Sequence, residues 1–325
     1  MRDRNMVNAN PRIASLSVVV PVYRSEDILC ELVARLATAL RKLSVDFEVV
    51  LVNDGSPDGS WLVIRELAQR HNWIRGINLA RNYGQHNALL CGIRAARNEV
   101  IVTIDDDLQN PPEEIFKLLT KLSEDYEVVY GTPEKKQHGY WRNLASWTTK
   151  LVIQSAMGAE TARSISPFRA FRTKLRAAFD GYNSPFVSID VLLTWGASRF
   201  AAVSVRHDPR PRGVSNYTFR KLVGHAIDMI TGFSTFPMQL ASLVGFSFAL
   251  FGLAVLAYIL GVYLIQGGIV PGFTFLASLI SIFSGAMLFA LGILGEYLAR
   301  MHFRTMGQPP YVVHSKTPAK RAKGS

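Results

Sequence analysis

The sequence predicts an α/β domain built on a mostly parallel sheet, followed by a hairpin of two membrane-spanning helices. Three observations support this prediction. Apolar, strand-like runs alternate with amphipathic helical stretches over the first 230 residues. Residues 240–265 and 273–295 contain no charged side chain. Polar and acidic side chains follow several of the predicted strands, which is where an open parallel sheet binds its ligands.

The strands and helices of the α/β domain alternate from residue 16 onward. The pattern places strands at 16–23, 47–56, 73–80 and 99–107, and helices at 28–43, 60–71 and 86–96. Because the strands are continuous apolar runs, we expect helices to cover both faces of the sheet. The segment NPPEE (110–114) carries the prolines and acids that are typical of a helix start.

The two uncharged stretches near the C-terminus are each long enough to cross a hydrocarbon core of about 30 Å. The short segment QGGIVPG (266–272) joins them, so we expect a helical hairpin. The alternative, a pair of buried core helices, is disfavoured because such helices rarely run this long without a polar face. Basic residues lie on both outer flanks, and the positive-inside rule therefore places both termini in the cytoplasm.

These patterns divide the chain into five parts. We predict a flexible N-terminus (1–14), an α/β domain (15–213), juxtamembrane amphipathic helices (214–236), the hairpin (237–300) and a basic cytoplasmic tail (301–325). The net charge of +11 suits nucleic acid, an anionic membrane surface or a phosphorylated ligand. With a hairpin present, we expect the lipid bilayer as a partner and no nucleic acid. Cys30 and Cys91 lack CxxC spacing, so they are expected to be reduced core thiols in a cytosolic setting.

Three consecutive aspartates follow the fourth predicted strand. On an extended segment, Asp105 and Asp107 point to one side and Asp106 points to the other. Two carboxylates at the mouth of a cleft suit a hard divalent cation such as Mg2+ or Mn2+, which completes its shell with phosphate oxygens and water. Gln109, one alternation further along, adds a carbonyl oxygen. The sequence therefore predicts a metal site for a diphosphate-containing substrate, with Asp106 outside it.

Four motifs occur in order along the chain: VPVYRSE, VNDGSPDGS, LARNYGQHNALLCGIRAA and IDDDLQNPPEE. Together they resemble the family 2 glycosyltransferases with a GT-A fold. More narrowly, they are similar to the polyprenyl-phosphate glycosyltransferases, which include dolichyl-phosphate mannose synthase and the bacterial undecaprenyl-phosphate sugar transferases. The resemblance extends over the hairpin to LGEYLAR (294–300). It implies a Rossmann-like GT-A catalytic domain that transfers a sugar from a nucleotide-diphosphate donor to a polyprenyl phosphate in the membrane.

The resemblance also implies roles for the residues at matching positions. The pocket for the nucleotide base and ribose should be lined by Pro21, Tyr23, Val52 and Asp54. The family's DxDxQ site for Mg2+ or Mn2+ and the donor diphosphate corresponds to Asp105, Asp107 and Gln109, with Asp107 as a catalytic residue. For Tyr23 and Val52, simple core packing is a competing interpretation.

Three positions depart from the family pattern. The family usually has Asn-Glu after the tyrosine, where this chain has Arg24 and Ser25, and the sequence leaves open whether Glu26 takes over the ribose contact of that glutamate. Asn53 stands in place of the first Asp of the VDDGS pattern, and Pro167 occupies the position of an Asp in the family's Gly-Asp-Phe-Arg segment. A general base is therefore missing there. The acceptor phosphate is already anionic near neutral pH, so we expect a single displacement that inverts the anomeric centre.

The acceptor side is predicted from the segment at residues 130–153. Arg142 and Ser146 have the Arg-x-x-x-Ser spacing with which similar family members hold the lipid phosphate, and this makes Arg142 a second catalytic candidate. The segment RPRGVSNYTFRKL (210–222) matches a family element in which Arg210 and Ser215 reach the donor diphosphate. The competing interpretation is a basic amphipathic helix held to anionic headgroups.

Two other classes of protein share some of these features. A processive polysaccharide synthase would share the nucleotide motifs, but this sequence lacks the Arg-Trp dipeptide of the Q-x-x-R-W motif. A non-enzymatic membrane scaffold would have no need for the acidic and basic site residues. We therefore expect a multi-pass enzyme of the inner (plasma) membrane with a cytoplasmic catalytic domain. UDP is favoured over GDP as the donor nucleotide, the sugar is left open, and a homo-oligomer is expected by analogy with relatives.

Overall fold

The computed structural model describes residues 13–43, 46–133, 165–209, 236–266 and 272–318. The chain divides into two compact units. The first unit comprises Met1–Leu222 together with Gly307–Ser325, and the second comprises Val223–Met306. The first unit contains the α/β sheet, and the second contains two long helices.

The described elements follow the predicted alternation. The strands are β1 (Ser15–Val22), β2 (Asp46–Asn53), β3 (Ile74–Leu79), β4 (Val100–Thr103), β5 (Val128–Pro133), β6 (Arg169–Arg172), β7 (Phe200–Val205) and β8 (Val313–Lys316). The helices are α1 (Leu29–Lys42), α2 (Ser60–Arg70), α3 (Gln85–Ala95), α4 (Ile115–Leu122), α5 (Ile189–Thr194), α6 (Phe236–Gln266) and α7 (Phe273–Thr305). Short 3-10 helices span Pro112–Glu114 and Thr173–Ala178.

The sheet has eight strands in the order β7-β5-β6-β4-β1-β2-β3-β8. Strand β1 pairs in parallel with β2 and with β4, and β2 pairs in parallel with β3. Strands β6 and β8 run antiparallel to their neighbours. The predicted mostly parallel sheet is therefore confirmed. Because β1 to β4 all run the same way, the loops that follow them lie along one edge of the sheet.

Both faces of the central strands are buried, as their continuous apolar sequences predict. Val18 and Val20 of β1 belong to a core cluster that includes Leu32 and Leu36 of α1. Val19 faces the opposite side, where α3 lies against β1. The contact there is close enough that a Cβ atom added at Gly92 would lie 2.3 Å from Val19 Cγ1.

The C-terminal segment differs from its prediction as a basic tail over residues 301–325. Helix α7 extends to Thr305, and β8 then pairs antiparallel with β3, placing Lys316 opposite Ile77. The Thr317 N–H donates to the Gly76 carbonyl oxygen at 2.9 Å, and the Gly76 N–H donates to Thr317 Oγ1 at 2.9 Å. The sequence analysis did not anticipate this strand, because strand pairing uses backbone groups, which are not visible in composition.

The second unit agrees with the predicted hairpin. Two of its segments, Met238–Ile265 and Ile282–Ala299, are long and apolar enough to cross a membrane, and their most apolar stretches are not buried. This exposure argues against the alternative of buried core helices. The helices α6 and α7 contact each other through aromatic rings, with the Phe248 and Phe283 centroids 5.7 Å apart. These features indicate a membrane-associated protein.

Both cysteines are free, but only one is in the core. Cys91 is buried, and burial raises the pKa of its thiol to about 12. Cys30 is exposed, so its predicted burial is wrong. It lies next to the buried Leu29 on α1, and the helix turns its side chain away from the core.

The close approach of α3 to β1 leads to a first prediction. Gly92→Ala should lower the unfolding temperature of the full-length protein, because a methyl group would overlap Val19 and overpacking typically costs about 1–3 kcal/mol. Gly181→Ala is the matched control, since no atom lies within 4 Å of its added Cβ. Thermal unfolding in detergent measures both variants. Equal unfolding temperatures for the two variants would contradict the packing described here.

Candidate active site

A cavity of about 220 Å³ lies at the edge of the sheet where β1 to β4 end. Its lining comes from the four chain segments that end or follow these strands. The lining residues are Pro21, Val22, Tyr23, Asp54, Asn82, Gly84, Gln85, Asp105, Asp106 and Asp107. The predicted convergence of polar side chains at the carboxyl edge of the sheet is therefore present in the structure.

The three aspartates do not lie on an extended strand. Strand β4 ends at Thr103, and the chain turns at residues 106–107. Leu108 then adopts a left-handed conformation with φ of 58°. The prediction of strict alternation is therefore wrong, because the chain leaves the sheet before the acidic residues begin. As a result, Asp106 lines the same cavity as Asp105 and Asp107.

Asp105 and Asp107 are each oriented by a neighbouring amide. Gln85 Nε2 donates to Asp105 Oδ1 at 2.7 Å, and the Gln109 N–H donates to Asp107 Oδ1 at 3.1 Å. The Gln109 carbonyl oxygen in turn accepts the Asp208 N–H at 2.9 Å. The backbone of Gln109 therefore supports the turn that presents Asp107 to the cavity.

Asp106 contacts the loop that follows β1. Its Oδ2 atom accepts the backbone N–H of Tyr23 at 3.1 Å, and it also accepts the Ser25 hydroxyl. Burial raises the pKa of the Asp106 carboxyl to about 6, although the hydrogen bonds from Ser25 and Tyr23 act to lower it. The carboxylate thus connects the end of β4 to the end of β1.

Asp54 connects the end of β2 to the loop that follows β3. Its two oxygens accept the N–H groups of Tyr83 at 2.7 Å and Gly84 at 2.8 Å. Burial raises the pKa of the Asp54 carboxyl, and these two hydrogen bonds oppose the rise. The two loops approach so closely that a Cβ atom at Gly55 would lie 2.3 Å from the Arg81 carbonyl carbon, so glycine is required there.

Glu26 does not take part in the cavity lining. Its Oε2 atom accepts the Gly59 N–H at 2.8 Å, immediately before α2 begins. Asp58 is engaged at the same place, where it accepts the hydroxyl of Ser60 at 2.6 Å and the N–H of Glu26 at 3.3 Å. The Glu26 carboxylate therefore contacts the start of α2.

Two exposed arginines lie next in sequence to residues that line the cavity. The Arg24 guanidinium lies 5.5 Å from the centroid of the Tyr23 ring, and the Arg81 guanidinium lies 4.9 Å from the Tyr83 ring. These separations are within the range of cation–π contacts. Both guanidinium groups therefore pack on aromatic rings of the loops that follow β1 and β3.

A buried ion pair lies next to the end of β4, where Arg169 of β6 is the strand partner of Thr103. Arg169 is almost completely buried and is paired with Asp190, which also accepts the Tyr130 hydroxyl at 3.1 Å. Arg169 Nε donates to Thr103 Oγ1 at 3.2 Å, and the Thr103 hydroxyl donates to the Pro167 carbonyl oxygen at 2.6 Å. The last residue of β4 is therefore anchored just before the acidic turn.

The structure brings together most of the predicted donor-site residues that it describes. Pro21, Tyr23, Asp54, Asp105 and Asp107 line one cavity. Val52 is fully buried in the core, where it faces Gly92 of α3, so packing explains it better than nucleotide contact. Gln109 contributes its backbone to the turn after Asp107. The remaining predicted site residues, Arg142, Ser146, Arg210 and Ser215, lie outside the described residues.

Sequence reasoning assigned no role to Asn82, Gly84 or Gln85, which also line the cavity. The signal was present, because RNYGQ (81–85) is a polar segment directly after a predicted strand. These residues follow β3 at the same edge of the sheet as the residues that follow β1, β2 and β4.

Comparison with known proteins identifies the family. Residues 17–187 match the model of the family described as "Glycosyl transferase family 2". The undecaprenyl-phosphate 4-deoxy-4-formamido-L-arabinose transferase of Pectobacterium atrosepticum is 34% identical over 312 residues, which cover 94% of this chain and 95% of that protein. The transferase of the same name from Shewanella sediminis is 34% identical and covers 97% of this chain and 96% of its own length. The chain belongs to glycosyl transferase family 2, and the resemblance seen in the four motifs is confirmed.

A solved structure supports the fold. Glucosyl-3-phosphoglycerate synthase from Mycobacterium tuberculosis, solved with Mn2+, uridine diphosphate and phosphoglyceric acid, aligns with a TM-score of 0.50 and 18% identity. The alignment covers 67% of this chain and 76% of that one. The predicted GT-A fold is therefore confirmed, and membership of the family makes the chain a glycosyltransferase.

The contacts of Asp54 generate a second prediction. Asp54→Asn should loosen the loop at residues 82–84, because an amide offers one acceptor and would place N–H donors against a backbone N–H. A buried donor left without a partner costs about 1–3 kcal/mol, so the unfolding temperature should fall and nucleotide binding should weaken. Asp180→Asn, an exposed carboxylate, is the control. Retention of wild-type stability and nucleotide affinity by Asp54→Asn would contradict this role.

Proposed function

We propose that this glycosyltransferase transfers a sugar from a nucleoside diphosphate to a polyprenyl phosphate in the membrane. The product is a lipid-linked monosaccharide with inverted anomeric configuration. The names of the relatives support the acceptor, because they describe transferases that act on undecaprenyl phosphate and match almost the whole length of this chain.

One combination of features carries the proposal. The same chain contains a cavity lined by carboxylates at the carboxyl edge of a parallel sheet and two helices that are apolar enough to cross a bilayer. The cavity suits a water-soluble nucleotide sugar, and the helices suit an enzyme whose acceptor is a lipid. A polysaccharide synthase would need a channel for its polymer, and two candidate spans in the described chain are few for that purpose.

The residues of the cavity fit a divalent cation, Mg2+ or Mn2+. Asp105 and Asp107 offer the hard oxygen ligands that these ions prefer. Among the described residues, no group of three or more His, Cys, Asp or Glu side chains is arranged to hold an ion, so donor phosphates and water would supply the other ligands. When bound, the ion would neutralise charge on the diphosphate. Asp105 and Asp107 would hold it, with Gln109 as an additional ligand.

The chemistry requires little of the protein beyond positioning and electrostatics. An oxygen of the acceptor phosphate forms a bond to the anomeric carbon, while the bond from that carbon to the donor diphosphate breaks and the nucleoside diphosphate departs. The acceptor is already an anion near neutral pH, so Pro167 at the position of a family Asp is compatible with this step. Arg142 and Ser146 are proposed to bind the acceptor phosphate, and Arg210 and Ser215 to bind the donor diphosphate.

The test is a donor panel. Purified full-length protein is incubated with undecaprenyl phosphate, Mg2+ or Mn2+, and a set of nucleotide sugars. The set contains UDP-hexoses, GDP-mannose and UDP-linked 4-deoxy-4-formamido-L-arabinose. The last of these carries the sugar that appears in the names of the relatives. We expect one UDP-sugar to give a lipid-linked product. A folded protein that transfers none of them would favour a non-enzymatic scaffold.

The metal site gives a third prediction. Asp107→Ala should lower transfer by roughly 100-fold or more, as is typical when stabilisation of a departing anion is removed. Chelation with EDTA should abolish transfer in the wild type, and added Mg2+ or Mn2+ should restore it. Asp180→Ala serves as the control for loss of an exposed carboxylate. Near-normal transfer by Asp107→Ala, or transfer that resists EDTA, would contradict the metal site.

The membrane topology gives a fourth prediction. We propose that both termini and the catalytic domain are cytoplasmic at the inner (plasma) membrane, as the basic flanks of the hairpin indicate. A membrane-impermeant maleimide added to spheroplasts should label Gly268→Cys, which lies in the connection between the helices. The exposed native Cys30 should be labelled only after lysis. Labelling of Cys30 in intact spheroplasts would reverse the topology. The predicted homo-oligomer remains a prediction.

A further inference from the structure

The loop that follows β1 forms one wall of the cavity and has an unfavourable backbone conformation. Tyr23 is exposed and lines the cavity, Arg24 is exposed, and Ser25 turns back into the protein with 8% exposure. Arg24 has a φ of 56°, in the left-handed region that residues other than glycine seldom adopt. Such a conformation persists only where the surroundings determine it by several contacts.

Each residue of this loop is held by a side chain from another part of the chain. The Arg24 N–H donates to Ser56 Oγ at 2.7 Å, and the Ser25 N–H donates to Ser60 Oγ at 3.0 Å. Ser56 lies between β2 and α2, and Ser60 is the first residue of α2. The Tyr23 N–H and the Ser25 hydroxyl instead donate to Asp106, at the end of β4.

Two other acidic residues near the loop, Glu26 and Asp58, accept hydrogen bonds around the start of α2. The carboxylate of Glu26 accepts the Gly59 N–H, and Asp58 accepts hydroxyl groups from Ser56 and Ser60. Asp106 is therefore the carboxylate that holds the loop from the side of the cavity. Its contacts reach both ends of the left-handed residue, since Tyr23 precedes Arg24 and Ser25 follows it.

We propose that Asp106 is a positioning residue for the donor nucleotide, because its carboxylate fixes the loop of Tyr23 to Ser25 in the shape that forms the cavity wall. The inference rests on the proposed function for the identity of the ligand. Both groups that donate to Asp106 Oδ2 are uncharged, so acceptance of hydrogen bonds is the required property. Asp106 therefore differs from Asp105 and Asp107, for which negative charge is essential.

The experiment compares four variants of the full-length protein: Asp106→Ala, Asp106→Asn, Ser25→Ala and the control Asp46→Ala. Asp46 is an exposed carboxylate at the start of β2, at the opposite end of that strand from the cavity. Asp106→Ala should raise the donor KM about tenfold, the size expected when hydrogen bonds to a charged group are lost. The acceptor KM and the kcat at saturating donor should change little.

The conservative variant Asp106→Asn distinguishes a role in hydrogen bonding from a role that requires the negative charge of Asp106. In Asp106→Asn the amide oxygen still accepts from Tyr23 and Ser25, so the donor KM should stay within about threefold of the wild type. Ser25→Ala removes one of the two hydrogen bonds and should give an intermediate increase in the donor KM. If Asp106→Ala fails to fold, Ser25→Ala provides the test of the positioning role. A donor KM for Asp106→Asn as high as for Asp106→Ala would overturn the inference. So would loss of Mn2+ binding in Asp106→Ala, because Asp106 would then be a metal ligand.

Hydrogen exchange tests the same contact without any sugar donor. Peptides that cover residues 22–29 should exchange faster in Asp106→Ala than in the wild type, Asp106→Asn or Asp46→Ala. Unchanged protection of this loop in Asp106→Ala would overturn the inference whether or not transfer has been found. Absence of transfer by the wild type with every donor would count against the proposed function and leave the exchange result to decide the role of Asp106.

Discussion

The architecture of the site depends on hydrogen bonds from backbone N–H groups in the loops that follow the parallel strands. Backbone N–H groups withdrawn from water need another acceptor, and carboxylates supply several of these acceptors here. Asp54 accepts two N–H groups from the loop after β3, and Asp106 accepts one from the loop after β1. Each of these aspartates comes from a different strand end than the loop it holds. The cavity wall is thus a set of loops fastened to one another by acidic side chains.

This arrangement concentrates negative charge in a basic protein. Asp54, Asp105, Asp106 and Asp107 all line a cavity of about 220 Å³, although the net charge of the chain is +11. A diphosphate would add further negative charge, so occupancy of the cavity by a nucleotide sugar favours a bound cation. The hydrogen bonds at Asp54 and Asp106 stabilise their carboxylates without a metal. In the proposed function, Asp105 and Asp107 hold that cation.

The sheet, its parallel core and the two apolar helices could be predicted from the sequence because they depend on hydrophobic patterning. The same reasoning located the cavity at the strand ends. It failed at Asp106, because periodicity assumes that the strand continues and the chain instead turns after Thr103. It could not assign Glu26, whose contact with Gly59 joins two loops that are distant in sequence. The family resemblance implied a pocket role for Val52, but this side chain is fully buried, so the competing interpretation of core packing fits it better.

The strand β8 makes the order of synthesis matter for the folding of the sheet. Residues 313–316 are translated after both long helices, yet they pair with β3, whose residues are among the first 80 of the chain. Until they emerge, the outer edge of β3 presents unpaired backbone groups of the kind that promote aggregation. A fragment that ends before residue 307 would keep that edge open permanently. A soluble version of the first unit would therefore need residues 307–318 rejoined to it.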